Sequence, residues 1–152
     1  MARAPFQVLV FPYRLLPADE IAYAVFRRSD DGHWQAIAGG GEVGETPLEA
    51  AKREAWEEAG VASTNAYLKL DSLATVPVIH FGPFRDRTDM FVIPEFTFGV
   101  AVAAGELRLS REHTEYAWLP YAEATARLRY DSNKNALWEL DRRLRLSFAA
   151  SV

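Results

Sequence analysis

Residues 39–61 read Gly-Gly-Gly-Glu-Val-Gly-Glu-Thr-Pro-Leu-Glu-Ala-Ala-Lys-Arg-Glu-Ala-Trp-Glu-Glu-Ala-Gly-Val, a glycine-rich loop that runs directly into a helix. Thr46 caps that helix, Pro47 occupies its first turn, and Glu49 completes a Thr-x-x-Glu capping box. Gly60 supplies the C-terminal stop. Glu54, Glu57 and Glu58 fall at helical spacings of three and four and so share a face. Clustered carboxylates on a rigid helix attract a hard divalent cation. The loop glycines let a backbone come close to a phosphate-bearing ligand.

Glu54 and Glu58 stand one turn apart, roughly 5–6 Å at Cβ, a spacing that lets both converge on a single ion. Glu57 lies beside them and could bind a second ion, bind through water, or act as a base. Arg53 precedes Glu57 by four residues and comes near Glu45 through the loop, which makes it a clamp that holds the carboxylates. Without the loop, the same helix would read as a solvated charged face. With Gly39, Glu45, Arg53, Glu54, Glu57, Glu58 and Gly60 all in register, a metal-binding phosphate site is the better reading.

Length and composition agree with a compact enzyme. A chain of 152 residues is the size of one domain, so residues 1–152 are expected to fold as a single unit with a sizeable core. An apolar fraction of 49% with four tryptophans excludes a disordered or fibrous chain. There is no cysteine, so disulfides and thiolate metal sites are excluded; a reducing, cytoplasmic setting is expected. The net charge of −4 argues against a nucleic acid polymer as partner, because duplex binding needs a basic patch. No stretch is long enough to cross a bilayer. The apolar run 6–13 is short and interrupted, so it reads as a strand and not as an export signal. Many proteins of this size dimerise, and no surface stripe decides whether this one is a homodimer.

The pattern along the chain predicts strands over 7–14, 20–28 and 34–38, the last delivering the chain to the glycine loop. Two longer strand segments follow over 67–81 and 88–103, with 82–87 as the loop between them; Pro77 and Pro94 imply bulges or edge positions. A short strand over 116–119, a helix over 121–128 after Pro120, and a final helix capped by Asp131-Ser132 complete the order. Leu137, Leu140, Leu144 and Phe148 mark the buried stripe of that last helix. This order is an α/β (α+β) arrangement, a mixed sheet sandwiched between helices.

The spacing from Gly39 through Glu45, Arg53-Glu54 and Glu57-Glu58 to Gly60 resembles the box of the Nudix hydrolases, which implies the α/β/α sandwich of that family. Ala55 departs from the larger aliphatic residue usual at its site, and Ile37-Ala38 stand where many members carry Pro-Gly. The resemblance implies hydrolysis of a phosphoanhydride bond. That chemistry neutralises an oxygen-rich anion and makes a nucleophile from water, and a divalent metal assists both. Mg²⁺ is the first choice because it prefers oxygen, keeps several waters and shares its sphere with phosphates; Mn²⁺ is the substitute.

The segment from Glu112 to Leu119 resembles one that follows the core sheet in the branch acting on dihydroneopterin triphosphate and dATP. There a Glu-His pair contributes a metal ligand. That likeness makes Glu112 the candidate for a third ligand or general base, with Glu115 second, while His113 orients substrate or satisfies a local hydrogen bond. Trp34 to Gly39 and Asp131-Ser132-Asn133 also resemble that branch. Trp34 and Tyr116 are candidates to stack on a planar base or pterin, or are core aromatics. His80 and Arg85 belong to the inter-strand loop where specificity residues gather, and Gly39 with Gly40 would meet the phosphates.

The expected substrate is a small nucleotide-like molecule, a (deoxy)nucleoside or dihydroneopterin triphosphate cleaved to monophosphate and pyrophosphate. Dinucleoside polyphosphates and nucleotide sugars are the alternatives. A Nudix-fold module that senses nucleotides without cleaving them is the rival of a different class. Such modules usually lose box carboxylates, and this chain keeps all of them.

Overall fold

The computed structural model describes residues 2–103 and 106–150. Seven strands and three helices follow in the order β1 (Arg3–Leu16), β2 (Glu20–Arg28), β3 (Trp34–Gln35), β4 (Ile37–Glu42), α1 (Pro47–Ala59), β5 (Tyr67–Pro77), β6 (Val92–Ala101), β7 (His113–Leu119), α2 (Tyr121–Arg127) and α3 (Asp131–Ala150). The sheet runs β3-β2-β1-β6-β5, with β4 paired to β1 and β7 to β2. Only the β1–β6 pairing is parallel among these ladders, so the sheet is mixed.

β1 reads as a near-continuous apolar run because both of its faces are covered. Val8 and Val10 point toward α1, packing with Ala50, Ala51, Ala55 and Ala59. Leu9, Phe11 and Tyr13 point the other way, into a second core built with Ala124 of α2 and Leu137, Leu140 and Leu144 of α3. The two-period of the strand thus feeds two cores at once. Phe148 is only partly buried at the margin of the second core.

Pro12 lies in this central strand without breaking it. β1 pairs with β4 as far as Val10 and with β2 from Tyr13 onward. The residue that lacks an N–H therefore sits where one neighbour hands over to the other. Pro94 is placed by the same logic, opposite Thr75 of β5 and one residue before the β1–β6 ladder begins at Glu95. The irregularity in the β5–β6 ladder falls between Lys69 and Leu73, away from both prolines.

Several boundaries differ from expectation. Gly39, Gly40 and Gly41 are not a loop: they form the middle of β4, hydrogen-bonded along β1. The two long strands are shorter than their apolar pattern implies. Pro77 ends β5, a single 3₁₀ turn covers Val78–His80, and the chain does not re-enter the sheet until Val92. From this stretch Val78 and Phe84 make a small core with Ile93 of β6. β7 begins at His113, three residues before the expected start.

The α1 boundaries follow their chemistry. Thr46 accepts from the Glu49 amide while the Glu49 side chain accepts from the Thr46 amide, and Gly60 adopts the left-handed conformation at φ 71°. Among the described residues, no helix is long and apolar enough to cross a membrane.

Candidate active site

The antiparallel ladder sets Gly39 opposite Val8 and Gly40 opposite Gln7. What the glycines make room for is side chain. A Cβ on Gly39 would fall 2.0 Å from the carboxyl carbon of Glu54, and one on Gly40 would fall 2.0 Å from the guanidinium carbon of Arg3. Glu54 is therefore seated against bare β4 backbone. Its companions are positioned by Arg53, whose Nε and Nη2 donate to the two oxygens of Glu45 at 2.8 and 3.0 Å. The same guanidinium donates to the Gly40 carbonyl at 2.8 Å, to Glu54 at 3.0 Å and to Glu57 at 3.3 Å. One planar fork thus ties the loop, the strand and the helix together.

The carboxylates meet different surroundings. Burial pushes Glu54 up to about 7, against the pull of Arg53 and with added repulsion from Glu57 and Glu58. At Glu58 burial acts in the same sense, but bonds from His113 and Ser110 outweigh it and hold the group below the usual carboxylate value. The Ser110 hydroxyl donates to Glu58, and His113 Nδ1 stands 3.5 Å away. The far side of the His113 ring meets the Gln35 amide nitrogen at 3.4 Å. If that amide donates to Nε2, the ring carries its proton on Nδ1, toward Glu58. Glu112, exposed at the rim of the cleft, is raised by partial desolvation and by the charge of Glu58. Glu45 is lowered by the Arg53 hydrogen bonds, and Glu57 is exposed.

Glu54 and Glu112 both line a cleft of about 670 Å³, together with Gly39, Gly40, His80 and Arg28. The remaining candidates stand apart from it. Trp34 packs against the α2/α3 core with the Arg127 guanidinium 5.0 Å above its ring. Tyr116 lies beside Phe26 at 6.4 Å, and its hydroxyl accepts from the Leu107 amide. Neither aromatic is among the residues that line the cleft. Arg85 is exposed and does not line the cleft. Glu115 is exposed, 4.0 Å from Arg27.

Among the described residues, the single group of three ligand atoms within 4.8 Å of one another is Asp30, Asp31 and His33, an exposed turn where Arg28 already pairs with Asp30 at 2.8 Å. In the box, Arg53 draws Glu54 and Glu57 while Ser110 and His113 hold Glu58. The donor set fits a hard divalent cation: every side-chain donor is a carboxylate oxygen, and burial raises the proton affinity of Glu54 against the pull of Arg53. Sequence reasoning left out Arg28, Ser110 and Gln35, whose contacts come from tertiary pairing and leave no local signal.

The NUDIX domain family profile matches residues 15–140. An RNA pyrophosphohydrolase of Roseobacter denitrificans is 30% identical over 135 residues, covering 81% of this chain and 82% of that protein. A dihydroneopterin triphosphate diphosphatase of Escherichia coli is 33% identical over 114 residues, covering 73% and 76%. Among solved structures, a Nudix hydrolase from Listeria monocytogenes superposes with a TM-score of 0.86 at 38% identity, covering 95% of this chain and 97% of that one.

Proposed function

The chain belongs to the Nudix family and is a pyrophosphohydrolase, and from that premise we propose that it cleaves a (deoxy)nucleoside or dihydroneopterin triphosphate to the monophosphate and pyrophosphate. The observation that carries this reading is the single cleft in which Glu54, seated on Gly39, and Glu112 face a volume of about 670 Å³, enough for one base or pterin with its phosphates. A polymer is disfavoured by the net charge of −4 and by the presence of one arginine and no lysine along the cleft among the described residues. Residues that line it run from Gln7 to Asn133, so one domain accounts for the activity.

Glu54 and Glu58 would hold Mg²⁺ or Mn²⁺, with Glu57 and Glu112 as further oxygen donors. When bound, such a cation neutralises phosphate oxygens and acidifies water. Glu112 is assigned the proton of the attacking water, since it lines the cleft and partial desolvation with the neighbouring Glu58 charge raises its basicity. Arg53 acts on the carboxylates and not on phosphate, because its donors are already spent on Glu45, Gly40, Glu54 and Glu57. His113 and Ser110 keep Glu58 ionised and fixed.

The test is a kinetic screen with Mg²⁺ and with Mn²⁺ over nucleoside triphosphates, dihydroneopterin triphosphate, dinucleoside polyphosphates and nucleotide sugars. Phosphate and pyrophosphate are both measured. Pyrophosphate release from a triphosphate is the expected result, and the absence of turnover across the panel would defeat the reading.

A further inference from the structure

The cleft continues past Glu54 to another carboxyl that the reaction does not use. Glu95 lies on β6 beside Gln7 in parallel register, is 7% exposed and lines the same cavity. Ser132, at the start of α3, hydrogen-bonds its carboxyl, but Oε1 has no partner among the described residues. A buried acceptor in that condition bears its desolvation with nothing in return.

Charge distinguishes the two parts of the cleft. Arg28, the one arginine or lysine that lines it, acts on Glu58 and Glu112. Among the described residues no arginine or lysine pairs with Glu95: Arg3, which reaches this side, donates to the neighbouring Gln7, burial pushes the Glu95 carboxyl up, and only Ser132 opposes that. A polyphosphate is repelled from this part and belongs with Arg28 and the box carboxylates. A neutral ring fits here, between apolar walls that include Leu9, Val76 and Phe81. A carboxylate offers acceptors alone, so the ring edge that satisfies it presents adjacent N–H donors.

Resting on the triphosphate reading above, we propose that Glu95 selects the ring, accepting from the ring N–H and exocyclic amine of a 2-amino-4-oxopyrimidine edge, the edge shared by guanine and pterins. An adenine edge presents a ring acceptor beside its amine and leaves one carboxylate oxygen facing a lone pair.

The test compares wild type with Glu95→Gln in the full chain, with Mg²⁺, on dGTP, dihydroneopterin triphosphate, dATP and dCTP. Glutamine keeps the volume and an acceptor for Ser132 but places a donor where the ring donors point. The expected result is a wild-type preference for dGTP or the pterin, lost in the variant through a roughly 10–100-fold fall in kcat/KM carried by KM, with dATP unchanged. Which of the two substrates responds identifies guanine or pterin as the source. An equal fall on all four substrates would show that Glu95 only braces α3 through Ser132. That result would overturn the proposal, as would an unchanged ratio or a wild type without preference. Equilibrium binding of dGMP and dAMP, read by calorimetry without metal, separates the two readings. A dGMP preference that Glu95→Gln abolishes supports the selection even if no substrate turns over, whereas turnover with an unaltered preference sinks the selection alone.

Discussion

Raising the pH should destabilise the metal-free protein, and Glu54 should account for most of the change. Its carboxyl has an ordinary value of 4.5 and is pushed to about 7 by burial against Gly39. Between those values the folded protein keeps a proton that the unfolded chain has released. Stability therefore falls as pH rises from about 4.5 to about 7 and levels off above. The gap corresponds to about 3 kcal/mol, or about 6–12 °C in Tm for a chain of this length. Glu95 and Glu112 are also raised by burial and add to the slope in the same direction, so wild type is compared with Glu54→Gln. That variant keeps the volume over Gly39 and an acceptor for Arg53 but carries no titrating proton. Urea or thermal unfolding in EDTA at pH 5 and pH 8 should show wild type losing about 3 kcal/mol relative to the variant. Mg²⁺ should reverse the loss at pH 8 and much less at pH 5, because the cation and the proton compete for one carboxylate. A wild-type-minus-variant difference that stays constant across pH would refute the argument.

Three further outcomes follow from the same geometry. Gly39→Ala puts a Cβ 2.0 Å from the Glu54 carboxyl carbon and should unseat that side chain, costing about 1–3 kcal/mol by overpacking; a Mg²⁺ titration of activity should show half-activation moved to higher Mg²⁺ as well. Arg53→Lys keeps the charge but loses the fork that reaches Glu45, Gly40 and Glu54 together, and steady-state kinetics should show about 10–100-fold lower activity. Glu112→Gln should lower kcat by about 10²–10⁴, while Glu115→Gln, whose side chain is exposed and 4.0 Å from Arg27, should leave kcat unchanged.

What could be read from the sequence was what local chemistry dictates. The α1 boundaries rest on Thr46, Glu49 and Gly60, each of which acts within a few residues of itself, and they appear where the sequence puts them. The layering is likewise legible, since the order of strand and helix patterns places a mixed sheet between helices. The glycine triplet reads as a loop because a strand without side chains carries no two-residue period; its pairing with β1 is a tertiary fact. The stretch after Pro77 reads as strand because Val78, Ile79 and Phe81 carry the apolar pattern onward, while the backbone leaves the sheet in a 3₁₀ turn and Val78 is buried in a local core with Phe84 and Ile93. Glu95 could not be singled out at all: an acidic residue between Pro94 and Phe96 reads as a surface position until β6 is placed between β1 and β5.

Ala55, the one departure inside the box, has its explanation in how deep Glu54 sits. Ala50, Ala51, Ala55 and Ala59 are each at most 1% exposed and present a face of methyl groups to the sheet. The bulk that fills this core comes from the strands instead, from Phe26, Ile37 and Phe98. Small side chains on the helix allow a close approach of helix to sheet, and only a close approach lets the carboxyl of Glu54 rest on Gly39. A larger aliphatic residue at 55 would need volume removed from the strand side to keep the same depth. The alanine face and the bare glycine are two halves of one fit, and the raised proton affinity of Glu54 is its electrostatic consequence.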